Sequence, residues 1–282
     1  MAESAWVSTS STTEGSTTEG SVIEPVEIRK RVRVIGVGPG DPDQVTVEAL
    51  HAMRGVAFFV VSDKSPRGGM PDPLVAARGR LLERHLDHEP VVVRIEDPAR
   101  ERRPERTGTQ QEYAAAVEAW HDARSAAYEE ALLAHEGDAG FLVWGDPAFY
   151  DSTIRILERV ARRGRLDLDL DVIPGVSSLQ LLAARHRIVL HEVGEPLHVT
   201  TGRRLREAVE SGQDNVVVML NRLIELDGLE DWQIWWGANL GTASEELVAG
   251  RVGDVLGAID AARERARDAA GWVMDVYLLR RA

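Results

Sequence analysis

The chain has 282 residues, no cysteine and a formal charge of −13. Disulfides, thiolate metal sites and a cysteine nucleophile are therefore excluded, and a nucleic-acid backbone is a poor main partner. The length suits two α/β lobes with real cores. No apolar run approaches a membrane span and no secretory signal opens the chain, so the expected location is the cytoplasm, with no membrane partner.

Residues 1–30 read as a separate, disordered tail. STTEG occurs twice in tandem at 11–20, in a Ser/Thr/Glu-rich stretch too poor in apolar residues to offset its ordering entropy. From Arg31 strand and helix patterns alternate. VRVIGV is a buried strand, TVEALHAMRG an amphipathic helix and VAFFVVSD a second strand. Asp72 and Pro73 stand at the N-cap and N1 positions of a helix running to Leu86. After the strand PVVVRIED and a charged loop, Thr109 to Glu112 has capping-box spacing and opens a long helix to about His135. Strand GFLVW, helix STIRILERVARRG, strand LDVIPG and helix SSLQLLAARHR complete a first lobe over 31–194. Such alternation indicates a parallel, doubly wound sheet.

Near Val193 the pattern restarts with LHVTTG, NVVVML, QIWWGANLG, EELVAGRV, a helix over 254–268 and a final strand GWVMDVYLL. This is a smaller second α/β lobe, 195–282. A ligand cleft is expected where the carboxyl ends of strands from both lobes face each other.

Four strand-end turns place glycine, proline and small hydroxyls at one rim: GVGPGDP (36–42), SDKSPRGG (62–69), WGDPAFYDST (144–153) and IPGVSS (173–178). One alone would be an efficient turn; four favour a ligand crevice. A dinucleotide site is disfavoured. G-x-G-x-x-G fails at Asp41, and Pro39 removes an N–H that would face a pyrophosphate.

GVGPGDPDQVTVEAL, WGDPAFYDST, IPGVSS and the two-lobe layout resemble the tetrapyrrole (corrin/porphyrin) methylase family, over about Arg31 to Arg281. The resemblance implies a mostly parallel first sheet, a mixed second sheet and S-adenosylmethionine bound folded between the lobes, S-adenosylhomocysteine being the product. DKS, AWH, LAARHRI, GEPLHVTTGRRL and GWVMDVYLLRR narrow it to members of aerobic cobalamin biosynthesis that methylate C-1 of precorrin-5 and expel acetate. Methylation at another precorrin carbon, or non-catalytic tetrapyrrole carriage, are the alternatives. The family's cofactor loops fall on Pro39, Gly145 and Asp146, on the pair Ser177 and Ser178, and on Met219. They also fall on Ala238, Gly241 and Thr242, which close over adenosine from the second lobe.

Deacetylation needs a general base and an electrophile at the acetyl carbonyl. Asp63 or His121 is the expected base, and Lys64 or Tyr150 the group polarising oxygen, with Tyr113 and Asp151 as further candidates. Asp63 and Asp151 read equally as caps, and Tyr113 and His121 as packing on a helix face. An acidic protein needs local cations for a polycarboxylate substrate. Arg203, Arg204 and Arg206, Arg185 and Arg187, and Arg67 are the candidates, and a solvated helix face is the plainer reading of each. The eight histidines show no ligand spacing, so no metal is expected. The family tends to dimerise, and Trp232, Trp235 and Trp236 supply either apolar surface for a homodimer or core.

Overall fold

The computed structural model describes residues 28–63, 73–98 and 110–281. Two five-stranded sheets organise them. The first is wholly parallel, in the order β3-β2-β4-β1-β5, built from β1 (Ile28–Gly36), β2 (Phe58–Asp63), β3 (Val92–Glu96), β4 (Ala139–Val143) and β5 (Leu166–Ile173). The second is mixed, in the order β6-β7-β10-β8-β9. Its strands are β6 (His198–Thr201), β7 (Asn215–Met219), β8 (Gln233–Ala238), β9 (Glu246–Arg251) and β10 (Asp275–Arg280). Only β6 and β7 run parallel there; the other neighbours are antiparallel.

The first sheet is clad by α1 (Val47–Arg54), α2 (Pro73–His85), α3 (Gln110–Ala134) and α4 (Thr153–Arg162). Helix α4 shows why these segments are helical. Ile156, Leu157 and Val160 recur at helical spacing and are fully buried, while Arg155, Glu158 and Arg162 face water. Central strand β4 is buried at every residue, as a strand covered on both faces must be. In the second lobe α6 (Leu205–Glu210) follows β6, and α7 (Val252–Ala270) ends at Gly271, whose φ of 75° closes the helix in the left-handed region.

Three expectations change. Strand β1 begins at Ile28, inside the expected tail, because Arg29 and Arg31 pair with Asp169 and the Lys30 ammonium bonds the carbonyls of His135 and Gly137. The tandem repeat, Asp72 and Thr109 lie outside the described residues. Helix α5 (Ser178–His186), assigned above to the first lobe, packs its Leu179, Leu181 and Leu182 against Val217, Val276 and Leu278 of the second sheet. A division at 194/195 therefore falls after an element that already serves the second core. Finally, Trp232 and Trp236 are core residues and Trp235 is partly buried, with the Arg280 guanidinium 5.4 Å from its ring. They are not a free apolar face for a homodimer.

His186 closes α5 onto the second sheet by donating from Nε2 to the Trp236 carbonyl at 3.0 Å. A carbonyl only accepts, so Nε2 carries the hydrogen of this bond. Burial lowers its pKa from the ordinary 6.5. The unfolded chain then binds the proton more tightly, and stability is lost as pH falls below about 6.5. Thermal melts across pH 5–8 should show this loss, and His186→Gln should remove its His-dependent part.

Candidate active site

In the first sheet β1 lies between β4 and β5, so the chain leaves β1 to one side and β4 to the other. That is the topological switch point, where open α/β sheets leave a crevice past the strand ends. The two loops there are tied together. Gly38 and Gly145 exchange both backbone hydrogen bonds, 3.2 Å and 2.8 Å, as an isolated antiparallel bridge beyond the parallel sheet. A third loop joins through Asp146: Oδ2 accepts from the Gly175 N–H at 2.9 Å, while Oδ1 accepts from Ala148 at 2.8 Å. Glycine is required where they meet, since a Cβ on Gly175 would lie 2.2 Å from the Gly145 carbonyl oxygen. Gly175→Ala should cost about 2 kcal/mol by overpacking and pry the loops apart; urea unfolding reads the first effect and S-adenosylhomocysteine titration the second.

Between these loops and the second sheet lies a cavity of about 480 Å³, inside the roughly 300–1,000 Å³ range of small-molecule sites. Pro39, Gly145, Asp146, Ser177 and Ser178 form its first-lobe wall, with Met219 opposite. Trp144 and Trp272 meet edge to face across the lobes with centroids 6.5 Å apart, and both line it. Among the described residues four non-glycines have positive φ, and three of them, Tyr150 (53°), Leu220 (56°) and Asn239 (48°), line this cavity. Bulky side chains leave that region empty unless surrounding structure holds them there, and such strain gathers at functional sites.

Ala238, Gly241 and Thr242 do not line the cavity; Asn239 and Leu240 do. Ala238 is buried in β8. Gly241 and Thr242 instead pack on the first glycine loop: a Cβ on Gly40 would meet the Thr242 methyl at 2.7 Å, and one on Gly241 would meet the Asp41 amide at 3.1 Å. They lock lobe to lobe. Asn239 fixes the wall by accepting from the Met274 N–H at 2.9 Å and donating to the Trp272 carbonyl at 3.2 Å. An asparagine at a strand end before Leu-Gly is a signal for the left-handed region that could have marked it.

The catalytic candidates separate. Tyr150 lines the cavity, and its hydroxyl donates to the Val199 carbonyl across the lobes at 3.4 Å. Burial raises its phenol pKa against the pull of Arg204, so it stays a proton donor at neutral pH. Asp151 lines the cavity too, its Oδ1 capping α4 through the Thr153 N–H at 2.6 Å. His121 does not belong here. It lies on α3 against Trp120 with Glu118 and Arg159 nearby, and burial, then Arg159, lowers its pKa. Asp63 ends β2 and lines neither this cavity nor the smaller one beside it. Lys64 and Arg67 lie outside the described residues, as does the side chain of Tyr113 on α3.

The expected arginines are elsewhere. Arg204 pairs with Glu207 at 2.6 Å on the exposed rim beside Arg203, and Arg185 is held by Glu245 at 2.8 Å. Among the described residues, the cation on the cavity wall is Arg222, which composition and spacing did not mark. Asp275 was also missed. It lines the cavity with its side chain 1% exposed, paired to Arg263 Nε at 2.9 Å. Burial raises its pKa against the opposing pull of Arg263.

Fold, switch-point cavity and bridged loops together describe a two-lobed α/β protein with an interlobe small-molecule site. The family model for tetrapyrrole (corrin/porphyrin) methylases matches residues 31–256. The chain belongs to that family. It is 39% identical over 257 residues to a precorrin-6A synthase [deacetylating] of Sinorhizobium sp, an alignment covering 89% of this chain and 95% of that protein. Among solved structures, a cobalamin-synthesis-related protein of Corynebacterium diphtheriae aligns with a TM-score of 0.73 at 32% identity, over 90% of this chain and 98% of that one. A cobalt precorrin-4 methyltransferase shares the fold at a TM-score of 0.53 and 17% identity, over 89% and 94%. No helix among the described residues is long and apolar enough to cross a membrane.

Proposed function

We propose that the chain is an S-adenosylmethionine-dependent C-methyltransferase that methylates C-1 of precorrin-5 with release of acetate, as a precorrin-6A synthase of aerobic cobalamin biosynthesis. The observation that carries this is the strained, apolar-walled cavity at the switch point, on which six of the nine expected cofactor residues converge. The near full-length similarity to the deacetylating synthase supports the substrate.

The cavity suits a zwitterionic nucleoside better than a phosphate. Aromatic and aliphatic walls, Trp144, Met219, Leu240 and Trp272, offer faces for adenine, and Pro39 supplies no amide to an anion. When bound, S-adenosylmethionine supplies a methyl group already activated on sulfur, so alignment provides most of the rate. Deacetylation asks more of the protein. Water adds to the acetyl carbon, the carbon–carbon bond to the ring breaks, acetate leaves, and the electron pair stays in the conjugated macrocycle. In our reading the Asp151 carboxylate takes the water proton, and the Tyr150 hydroxyl donates to the carbonyl oxygen. Asp151 takes the place of Asp63 and His121 as base because it stands on the cavity, and Tyr150 keeps the polarising role expected of it. Arg222 offers its guanidinium to a substrate carboxylate. We further propose that no metal takes part and that the protein acts in the cytoplasm.

The test incubates purified protein with enzymatically generated precorrin-5, with and without S-adenosylmethionine, and measures acetate and product mass. Stoichiometric acetate with one added methyl is expected. Methyl gain without acetate would move the reaction to another ring carbon.

A further inference from the structure

Strand β7 ends at Met219, and the three residues after it, Leu220, Asn221 and Arg222, all line the main cavity. This segment is held from several sides. The Arg263 guanidinium donates from Nη2 to the Asn221 and Arg222 carbonyls at 3.1 and 3.0 Å. The Asn221 amide donates to the Asp275 carbonyl at 3.3 Å, and its oxygen lies so close to Gly202 that a Cβ there would meet it at 2.6 Å. Within the segment so held, Leu220 has a φ of 56°. That is the left-handed region, where side chains other than asparagine and aspartate are uncommon.

Leucine suits this place on neither local count. Glycine would meet the backbone demand without a crowded Cβ. Nor does the side chain serve a core: it is 61% exposed and belongs to none of the hydrophobic clusters among the described residues. Contact with a ligand accounts for both the strain and the exposure. Size and company select that ligand. Among the described residues, three exposed large hydrophobics line the cavity, Leu220, Tyr150 and Met274. Tyr150 comes from the first lobe and the other two from the second, so apolar surface stands at the solvent-facing edge of both. A cavity of about 480 Å³ suits one drug-sized ligand. S-adenosylmethionine fills it, and a tetrapyrrole must rest at its open edge. Arg222 sets an exposed guanidinium on the same segment as Leu220. An apolar face beside a cation matches a flat conjugated ring that carries carboxylate arms.

We propose that Leu220 is a substrate-contact residue, an apolar lip against which the face of the precorrin macrocycle rests while its reacting carbon is held over the cofactor cavity. The inference rests on the function proposed above and adds to it the residue that grips the ring rather than its arms. Taking a mostly exposed leucine out of water is worth roughly ten-fold in affinity.

The experiment uses the full chain with S-adenosylhomocysteine bound and titrates enzymatically generated precorrin-5, read by its absorption. Wild type is compared with Leu220→Gly, Leu220→Asn and Leu220→Met. The first removes the lip and relieves the backbone. The second tolerates the left-handed region at similar volume but is polar, and the third restores an apolar side chain. The Kd for precorrin-5 should rise about ten-fold in Leu220→Gly and Leu220→Asn and stay within about three-fold of wild type in Leu220→Met. S-adenosylhomocysteine affinity should stay within about two-fold, and the urea midpoint of Leu220→Gly should equal or exceed that of wild type. Unchanged precorrin-5 affinity in the glycine and asparagine variants overturns the proposal, as does a loss confined to S-adenosylhomocysteine. A lowered midpoint in Leu220→Gly, with precorrin-5 affinity lost in that variant alone, marks a structural leucine and overturns it too. Acetate release separates the two readings. Weakened precorrin-5 binding in both variants, with no acetate released by the wild type, would sink the deacetylating function and keep the lip. Acetate release by the wild type with unchanged affinity in the variants would do the reverse. A wild type that does not bind precorrin-5 overturns both.

Discussion

Asp275→Ala should lower the free energy of unfolding by about 3 kcal/mol, read by urea denaturation at neutral pH. The Asp275 side chain is 1% exposed and Arg263, 11% exposed, is its partner at 2.9 Å. Removing the carboxylate strands a buried guanidinium, the costly way to break such a pair. Arg263 also donates to the Asn221 and Arg222 carbonyls at 3.1 and 3.0 Å, so its displacement would loosen the wall that Asn221 and Arg222 form. S-adenosylhomocysteine affinity should therefore fall with stability. The pH dependence has a definite sign. Burial puts the folded carboxyl above its ordinary 3.8, so the native state holds the proton more tightly and stability falls as pH climbs upward from 3.8. Asp275→Asn should remove that slope while keeping the volume. An Asn variant with the wild-type slope would show that Asp275 is ionised in both states.

Asp151→Asn and Tyr150→Phe should each reduce acetate release about 10²-fold or more, the scale of general acid–base catalysis. S-adenosylhomocysteine binding should stay within a few-fold, because Pro39, Gly145, Asp146, Ser177, Ser178 and Met219 are unchanged and both substitutions keep the side-chain size. Asparagine retains an oxygen to cap Thr153, so α4 should keep its start. Loss of acetate release with retained binding would place both groups in the chemistry. His121→Gln, remote on the α3 surface, should release acetate at the wild-type rate, and Asp63→Asn, which lines neither cavity, should behave likewise. If instead His121→Gln alone abolished release, the base assignment would return to α3.

Much of the fold was legible because local chemistry and tertiary need agree. Buried runs such as FLV in β4 have no reading other than a strand covered on both sides, and Ser177 with Gln180 forms the capping box that starts α5. The glycines of the first, fourth and fifth strand-end loops were readable for a similar reason. Positive φ at Gly38 and Gly145, and a backbone approach at Gly175, admit few other residues. The family resemblance places Pro39, Gly145, Asp146, Ser177, Ser178 and Met219 on such loops and strand ends, and all six line the cavity.

Side chains that reach the site by packing could not. Asp275 and Arg263 are separated by the turn between α7 and β10, and only the antiparallel pairing of β10 with β8 brings the carboxylate under the cavity wall. The sequence favours His121 over Asp151 as base because a helix sequence does not say which face meets the crevice. The rotation of α3 on the sheet turns Arg124 and Tyr128 inward and leaves His121 with Arg159. Helix α5 precedes the second sheet in the chain, yet its leucines found their complement there.

By itself the sequence determined two α/β units and the loops that must be glycine-rich, because each follows from backbone conformation and short-range pattern, and the resemblance of those loops gave the family. The tertiary structure alone decided which charges face the cavities, that Gly241 and Thr242 join lobes, and that a second cavity opens beside Tyr150. Those depend on long-range packing, where a side chain's surroundings come from segments far away along the chain.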